Sequence, residues 1–186
     1  AIDTAHALGR KVAVHASADV AMQRAANARA DTIEHGSAGT SATFELMRDR
    51  GTIYVPTLTQ VEYYARYFEG YRPGETAATP YMARSERAFR AARDAGVTIA
   101  NGSDAGVYPH GENYRELQWM VKLGMRPAEA LLAATRTGAR VLGEEDIGRL
   151  APGLIADIIA VQGDPVEDIE AVSQVTFVMK GGKRIR

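Results

Sequence analysis

Short apolar segments alternate with helix-forming segments between residues 11 and 142, and this alternation constrains the fold more than any other feature of the chain. Each apolar segment is about six residues long and contains β-branched side chains, which is typical of a buried strand. Strands that alternate with helices of about 10 to 15 residues form right-handed βαβ units. The pattern therefore predicts an α/β fold with a parallel sheet. The predicted strands are residues 11–16, 31–36, 52–56 and 97–102.

Helix signals fill the intervals between these strands. Ser17 or Asp19 can cap a first helix that runs to Ala30, because short polar side chains accept hydrogen bonds from the first helical amides. Residues 57–80 are rich in aromatic side chains and contain a Pro-Gly turn, so we predict a long irregular loop there. The other predicted helices run from Thr40 or Ser41 to a stop at Gly51, from residue 81 to 95, from 113 to 123, and from 127 to 142.

The pattern changes from Gly148 onward. Residues 156–161 and 175–179 are predicted strands without a long helix between them, and the Gly181-Gly182 turn leads into the last residues. We therefore predict two domains. The α/β part would comprise residues 1–145, and the small β element residues 146–186.

Composition excludes several classes of function. With 22 basic and 23 acidic residues the formal net charge is −1, which offers no electrostatic reason to bind nucleic acid or an anionic membrane. No segment approaches the roughly 18 apolar residues of a membrane-spanning helix. The chain has no cysteine, so any metal must bind to histidine and carboxylate side chains. Composition does not identify the compartment, and the cytoplasm is our default expectation.

The first ten residues, AIDTAHALGR, have no initiator methionine and no signal-peptide pattern. They are typical of the last turns of a helix that ends at Gly9. We therefore expect the sequence to begin inside a longer protein.

Three polar residues share one position in the predicted sheet. His15, His35 and Asp104 each lie at or just beyond the carboxyl end of a strand. Parallel sheets place their functional groups at this edge, so the three side chains are expected to converge. Imidazole and carboxylate ligands suit zinc, manganese or iron, and a metal-bound water can become a hydroxide near neutral pH. The alternative is that each residue has only a structural role.

Several longer motifs follow the same order along the chain. They are VHA, IEHG, NGSDAG, PHGENYREL, PAEALLAATRTGARVLG and IGRLAPGLIADIIAVQGDPVEDI. This series resembles the C-terminal half of the metal-dependent amidohydrolase superfamily, in its imidazolonepropionase-like and Xaa-Pro dipeptidase-like branch. The resemblance implies the second half of a (β/α)8 TIM barrel, strands 5–8, together with part of a small β-sandwich.

The resemblance also implies roles for the three polar residues. His15 would end strand 5 and His35 strand 6, both as metal ligands in two-metal members, whereas in single-metal members His35 would position the water. Asp104 would end strand 8, touch the metal and act as the general base. The implied reaction is hydrolysis of an amide-type C–N bond in a dipeptide or a cyclic amide. One or two divalent ions are implied, zinc first, with manganese, iron and cobalt left open.

The chain departs from the family pattern in two ways. The family has a His-x-His pair on its first strand and a carboxylated lysine on its fourth, and neither His6 nor Lys11 can fill these roles. A complete barrel needs roughly 250 residues, whereas only about 145 precede the tail here. We therefore expect half of an enzyme. The alternatives are an inactive α/β fragment that self-associates into a homo-oligomer, and a deaminase of the same superfamily.

Other side chains are candidates for substrate contact. His110 could act as a catalytic acid or contact substrate, or it could be a solvated loop residue. Glu34 and Ser103 flank the proposed ligands and could orient them. Asn113 and Glu116 are most simply a helix cap and a first-turn charge. Tyr63, Tyr64, Arg66, Arg72 and Arg115 could bind a substrate carbonyl or carboxylate, although loop packing or solvation is the default for each.

Overall fold

The computed structural model describes all 186 residues and has a mixed α/β fold with two separate three-stranded sheets. The first sheet is parallel, with the strands in sequence order. Its register pairs His15 with Glu34, Ala16 with His35, and Glu34 with Val55. The strands of this sheet are β1 (Ala13–Ala16), β2 (Thr32–His35) and β3 (Ile53–Val55).

Eight α-helices surround or follow this sheet. The predicted end signals act as expected in α3, where Thr40 accepts a hydrogen bond from the Thr43 amide and Gly51 adopts a left-handed φ of 74°. No helix has the combination of length and hydrophobicity needed to cross a membrane. The helices are α1 (Ile2–Ala7), α2 (Asp19–Asn27), α3 (Ser41–Arg50), α4 (Leu58–Phe68), α5 (Pro80–Ala95), α6 (Arg115–Lys122), α7 (Pro127–Ala134) and α8 (Arg136–Leu142).

The predicted fourth strand, residues 97–102, is reduced to a single parallel bridge between Tyr54 and Ile99. The backbone amide of Tyr54 donates a hydrogen bond to the carbonyl of Thr98, and the carbonyl of Tyr54 accepts one from the amide of Ala100. The next amide, Asn101, donates instead to the carbonyl of Ala133 on α7. The chain therefore leaves the sheet after one bridge, and the structure contains no closed barrel.

Two predictions about helices were wrong. Residues 57–80 are not irregular throughout, because α4 occupies the first half of this segment. The single helix predicted for residues 127–142 is interrupted at Thr135, where φ is −113° and ψ is −87°. The Thr135 hydroxyl donates to the carbonyl of Leu131, a local bond that competes with regular helical geometry.

The two faces of the parallel sheet have different neighbours. Because side chains alternate along a strand, Tyr54 faces the side opposite to Ile53 and Val55. Tyr54 joins the main core with helical side chains such as Phe44 and Phe89, all of them fully buried. Ile53 and Val55 form a smaller cluster with Ala100 on the other face.

The C-terminal residues form an antiparallel sheet of β4 (Ile158–Val161), β5 (Val175–Lys180) and β6 (Lys183–Arg184). A short 3-10 helix, Ile169–Ser173, links β4 to β5. Its residues Ile169 and Val172 belong to the main core. The strands and the turn agree with the sequence pattern, whereas the proposed domain boundary at residue 146 stays a prediction.

Candidate active site

The two predicted histidines lie side by side at the carboxyl ends of β1 and β2. The imidazole rings of His15 and His35 have centroids 4.5 Å apart and planes inclined by 67°. Asp104 belongs to the same region, because its charge acts on the pKa values of both His35 and Glu34. The structure therefore brings together two imidazoles that are 20 residues apart in sequence, whereas the convergence of all three side chains on one ligand stays a prediction.

These side chains do not by themselves form a metal-binding group. No cluster of three or more His, Asp or Glu side chains in the structure has an arrangement that could hold a metal ion. The assignment of His15, His35 and Asp104 as metal ligands therefore stays a prediction.

His35 is fixed from both its ring and its backbone. Its Nδ1 atom lies 2.7 Å from the hydroxyl of Thr57, and its carbonyl accepts a hydrogen bond of 2.8 Å from the hydroxyl of Tyr54. Burial lowers the pKa of His35, and the neighbouring His15 adds to this effect while Asp104 opposes it. The neutral imidazole, the form that can bind a metal, is thereby favoured.

Left-handed backbone conformations concentrate at this site. Among the four non-glycine residues with positive φ are His35 at 71°, Thr57 at 52° and Asp104 at 54°. Such conformations cost about 1–3 kcal/mol each and persist where the surrounding structure enforces them. Gly36 follows with a φ of 54°, and a Cβ atom there would lie 2.5 Å from the ring of Tyr54. The strand end is therefore held in one strained shape.

Glu34 contributes a further carboxyl group beside His15. The register pairs Glu34 with His15, so their side chains share one face of the sheet. Burial raises the pKa of Glu34, and the charge of Asp104 acts in the same direction, while a hydrogen bond from Thr32 opposes both. Two carboxyl groups and two imidazoles thus occupy the same edge of the sheet.

The loop after Asp104 contains three further polar residues near the site, of which Asn113 differs from its prediction. His110 is exposed and makes no hydrogen bond, so its catalytic role stays a prediction. Asn113 is not a helix cap, because its side chain donates to the hydroxyl of Ser103 at 2.8 Å while α6 has no side-chain cap. Tyr108 is 3% exposed and its hydroxyl has no hydrogen-bond partner.

The arginines proposed to bind substrate are already paired within the protein. Glu62 is buried and accepts hydrogen bonds from Arg66, from Arg115 at 3.0 Å and from the indole of Trp119 at 2.7 Å. Burial alone would raise the pKa of Glu62, but these hydrogen bonds and the two positive charges together lower it. Arg72 is exposed and lies 3.6 Å from Glu75.

The two candidate tyrosines, and the His6 and Lys11 side chains that do not fit the family pattern, also have partners within the protein. Tyr63 donates its hydroxyl to Glu112 at 2.6 Å, and the Tyr64 ring packs edge-on against Tyr81. His6 contacts Asp31 at 2.9 Å, and Lys11 donates to the carbonyl of Arg140 at 2.6 Å. None of these contacts involves His15, His35 or Asp104.

Glu116 lies in the first turn of α6, as predicted, and its side chain is completely buried. Its Oε1 accepts from the Leu58 amide at 2.8 Å, and its Oε2 accepts from the amide and hydroxyl of Thr59 at 2.7 and 2.8 Å.

Sequence reasoning also missed Thr57 and Tyr54. The only sequence signals were that Thr57 directly follows the predicted strand 52–56 and that Tyr54 lies within it.

The fold and these strand-end side chains define a mixed α/β protein with a polar site at the carboxyl edge of a parallel sheet, where α/β enzymes place their active sites. Residues 1–185 match the amidohydrolase family, and the chain belongs to this family. The resemblance found in the sequence is thereby confirmed.

Individual relatives agree with this assignment. Ochratoxinase from Aspergillus niger is 35% identical over 190 residues, which cover 98% of this chain and 39% of that protein. Imidazolonepropionase from Rhodococcus jostii is 35% identical over 102 residues, covering 50% of this chain and 25% of its own length. The crystal structure of a Xaa-Pro dipeptidase with bound methionine superposes with a TM-score of 0.90 at 36% identity, covering 100% of this chain and 47% of the other. The chain thus spans about half or less of these relatives.

Proposed function

We propose that the protein hydrolyses an amide-type C–N bond in a dipeptide or a cyclic amide, with His15, His35 and Asp104 at the reaction centre. The observation that carries this proposal is the pair of imidazoles 4.5 Å apart at adjacent strand ends, with the charge of Asp104 acting on one of them. Membership of the amidohydrolase family supports it. So do the names of the relatives, which include a dipeptidase, an ochratoxinase and an imidazolonepropionase.

The chemistry of these side chains suits a divalent cation, although the three alone do not form a complete metal-binding group. Two imidazoles and a carboxylate are ligands that zinc, manganese, iron and cobalt accept, with zinc our first choice. We propose that His15, His35 and Asp104 hold one or two such ions together with ligands from outside these three side chains. When bound, the ion supplies an activated water and polarises the substrate carbonyl.

The protein's own side chains then move the proton. We propose that Asp104 accepts the proton of the attacking water through its carboxylate and later delivers it to the nitrogen of the leaving amine. The new C–O bond forms when water adds to the carbonyl carbon, and the C–N bond breaks in a second step when the nitrogen receives the proton, so the products are a carboxylic acid and an amine. Burial and the neighbouring His15 favour the neutral form of His35, which has a lone pair available for the cation.

The architecture also supports a proposal about the complete protein. We propose that β1, β2, β3 and the Ile99 bridge correspond to strands 5–8 of a (β/α)8 barrel, and that residues 146–186 form part of a composite β-sandwich. The parallel order and the crossover helices support the first assignment. The antiparallel sheet at the C-terminal end supports the second.

A second proposal concerns self-association. Both three-stranded sheets are open, and unpaired sheet edges can pair with another chain. Leu150, Ile159 and Ile185 are also between 59% and 79% exposed in the C-terminal segment. We propose a homo-oligomer, and expect light scattering of the purified protein to give a mass above that of one chain. A monodisperse monomer would contradict this proposal.

The hydrolase proposal is tested with Asp104→Asn, which keeps the size of the side chain and removes the base. We expect kcat on a panel of dipeptides and cyclic amides to fall by about 10²- to 10⁴-fold, the usual contribution of a general base. Asp49→Asn, at an exposed site on α3, is the matched control and should leave kcat unchanged. Elemental analysis should show less bound metal after His15→Ala or His35→Ala. Full turnover in Asp104→Asn would refute the assignment.

A further inference from the structure

Helix α4 begins in an unusual way. Its N-cap residue, Thr57, has a left-handed backbone with φ 52° and ψ 47°, although β-branched residues rarely adopt this conformation. Thr57 is 3% exposed. Threonine hydroxyls commonly cap the first helical amides, but this one makes no capping bond. It lies instead 2.7 Å from Nδ1 of His35.

The cap that Thr57 does not provide comes from another helix. Glu116, on α6, accepts hydrogen bonds from the amides of Leu58 and Thr59 through separate carboxylate oxygens. It also accepts from the hydroxyl of Thr59. Because this remote carboxylate satisfies the first amides of α4, the Thr57 hydroxyl is available to the histidine.

We propose that Thr57 is a positioning residue for His35, and that Glu116 holds Thr57 in place through the first turn of α4. In this arrangement the Nδ1–H of His35 donates to the Thr57 hydroxyl, so Nε2 keeps its lone pair for a ligand. The hydroxyl of Tyr54 holds the carbonyl of the same residue. Partners of this kind fix the tautomer and orientation of a metal-binding imidazole. The inference rests on the proposed function in assigning His35 to the reaction centre.

The test separates positioning from simple stabilisation. Thr57→Val keeps the β-branched shape and removes the hydroxyl, whereas Thr57→Ser restores the hydroxyl. In metal-free protein, ¹⁵N NMR of the imidazole should show the Nδ1–H tautomer of His35 in the parent and in Thr57→Ser, but a loss of that tautomer in Thr57→Val. We expect zinc affinity to fall by about 10- to 100-fold in Thr57→Val and to recover in Thr57→Ser.

Two further variants complete the design. Glu116→Gln leaves Thr57 intact and should shift the His35 signals in the same direction as Thr57→Val. Thr79→Val removes the capping hydroxyl of α5, which accepts from Met82, and should lower stability without changing the His35 tautomer.

The outcomes are distinguishable from those of the hydrolase test. An unchanged His35 tautomer and zinc affinity in Thr57→Val would overturn the positioning role, even if the protein hydrolyses amides. A tautomer change in a protein that hydrolyses no amide would preserve the positioning role and refute the proposed function.

Discussion

The buried carboxyl group of Glu116 leads to a prediction about stability and pH. Burial raises the pKa of Glu116 from its ordinary value of 4.5 to about 7, although the three hydrogen bonds from Leu58 and Thr59 oppose this shift. The folded state therefore binds a proton more tightly than the unfolded state. The tighter binding of this proton stabilises the folded state. Because the pKa is higher in the folded state, this stabilisation is fully present below pH 4.5 and is lost as the pH rises through 7.

The size of the effect follows from the two pKa values. Between pH 5 and pH 8 the linkage relation gives a loss of about 2.5 kcal/mol in the free energy of unfolding from this one group. Glutamine cannot titrate, so in Glu116→Gln this part of the pH dependence should disappear. Glu116→Ala leaves three buried donors without an acceptor, and we expect it to destabilise the protein by about 3–6 kcal/mol at pH 6.

Urea denaturation of the purified protein at pH 5, 6, 7 and 8 measures this difference directly. The stability of the parent minus that of Glu116→Gln should fall steadily over the range. Glu45→Gln, at an exposed position on α3, is the control and should run parallel to the parent. If the free energy of unfolding of Glu116→Gln changes with pH in the same way as that of the parent, Glu116 does not titrate between pH 5 and pH 8 and the reasoning is wrong.

Two further substitutions test the packing around the site. Gly36→Ala should lower the free energy of unfolding by about 2–4 kcal/mol, because its Cβ would meet the ring of Tyr54 at 2.5 Å in a left-handed conformation. The control is Gly74→Ala, where φ is 80° but nothing lies within 4 Å of the added Cβ, and it should cost only about 1 kcal/mol by thermal unfolding. An equal loss of stability at both sites would show that the contact with the Tyr54 ring is not the cause. Trp119→Phe removes the indole hydrogen bond to Glu62 and should cost about 1–3 kcal/mol in urea denaturation, whereas unchanged stability would show that this bond is dispensable.

The sequence predicted those parts of the fold that depend on neighbouring residues. The alternation of apolar and helical segments located the first three strands, and local signals located the start of α3 at Thr40 and its end at Gly51. It did not predict α4, because the first turn of that helix is stabilised by Glu116, 57 and 58 residues further along the chain. It also overestimated the fourth strand, since Asn101 turns its amide to α7.

For the site, the chain order of strands and polar residues was enough to predict that His15, His35 and Asp104 occupy one edge. A parallel sheet places all its carboxyl ends on the same side, so this prediction needs no knowledge of packing, and the contact of His15 with His35 agrees with it. The pairing of Arg115 with Glu62, and the contact of Thr57 with His35, arise only when segments distant in sequence pack together. Local periodicity carries no information about such contacts, because they depend on the orientation of side chains across the folded core.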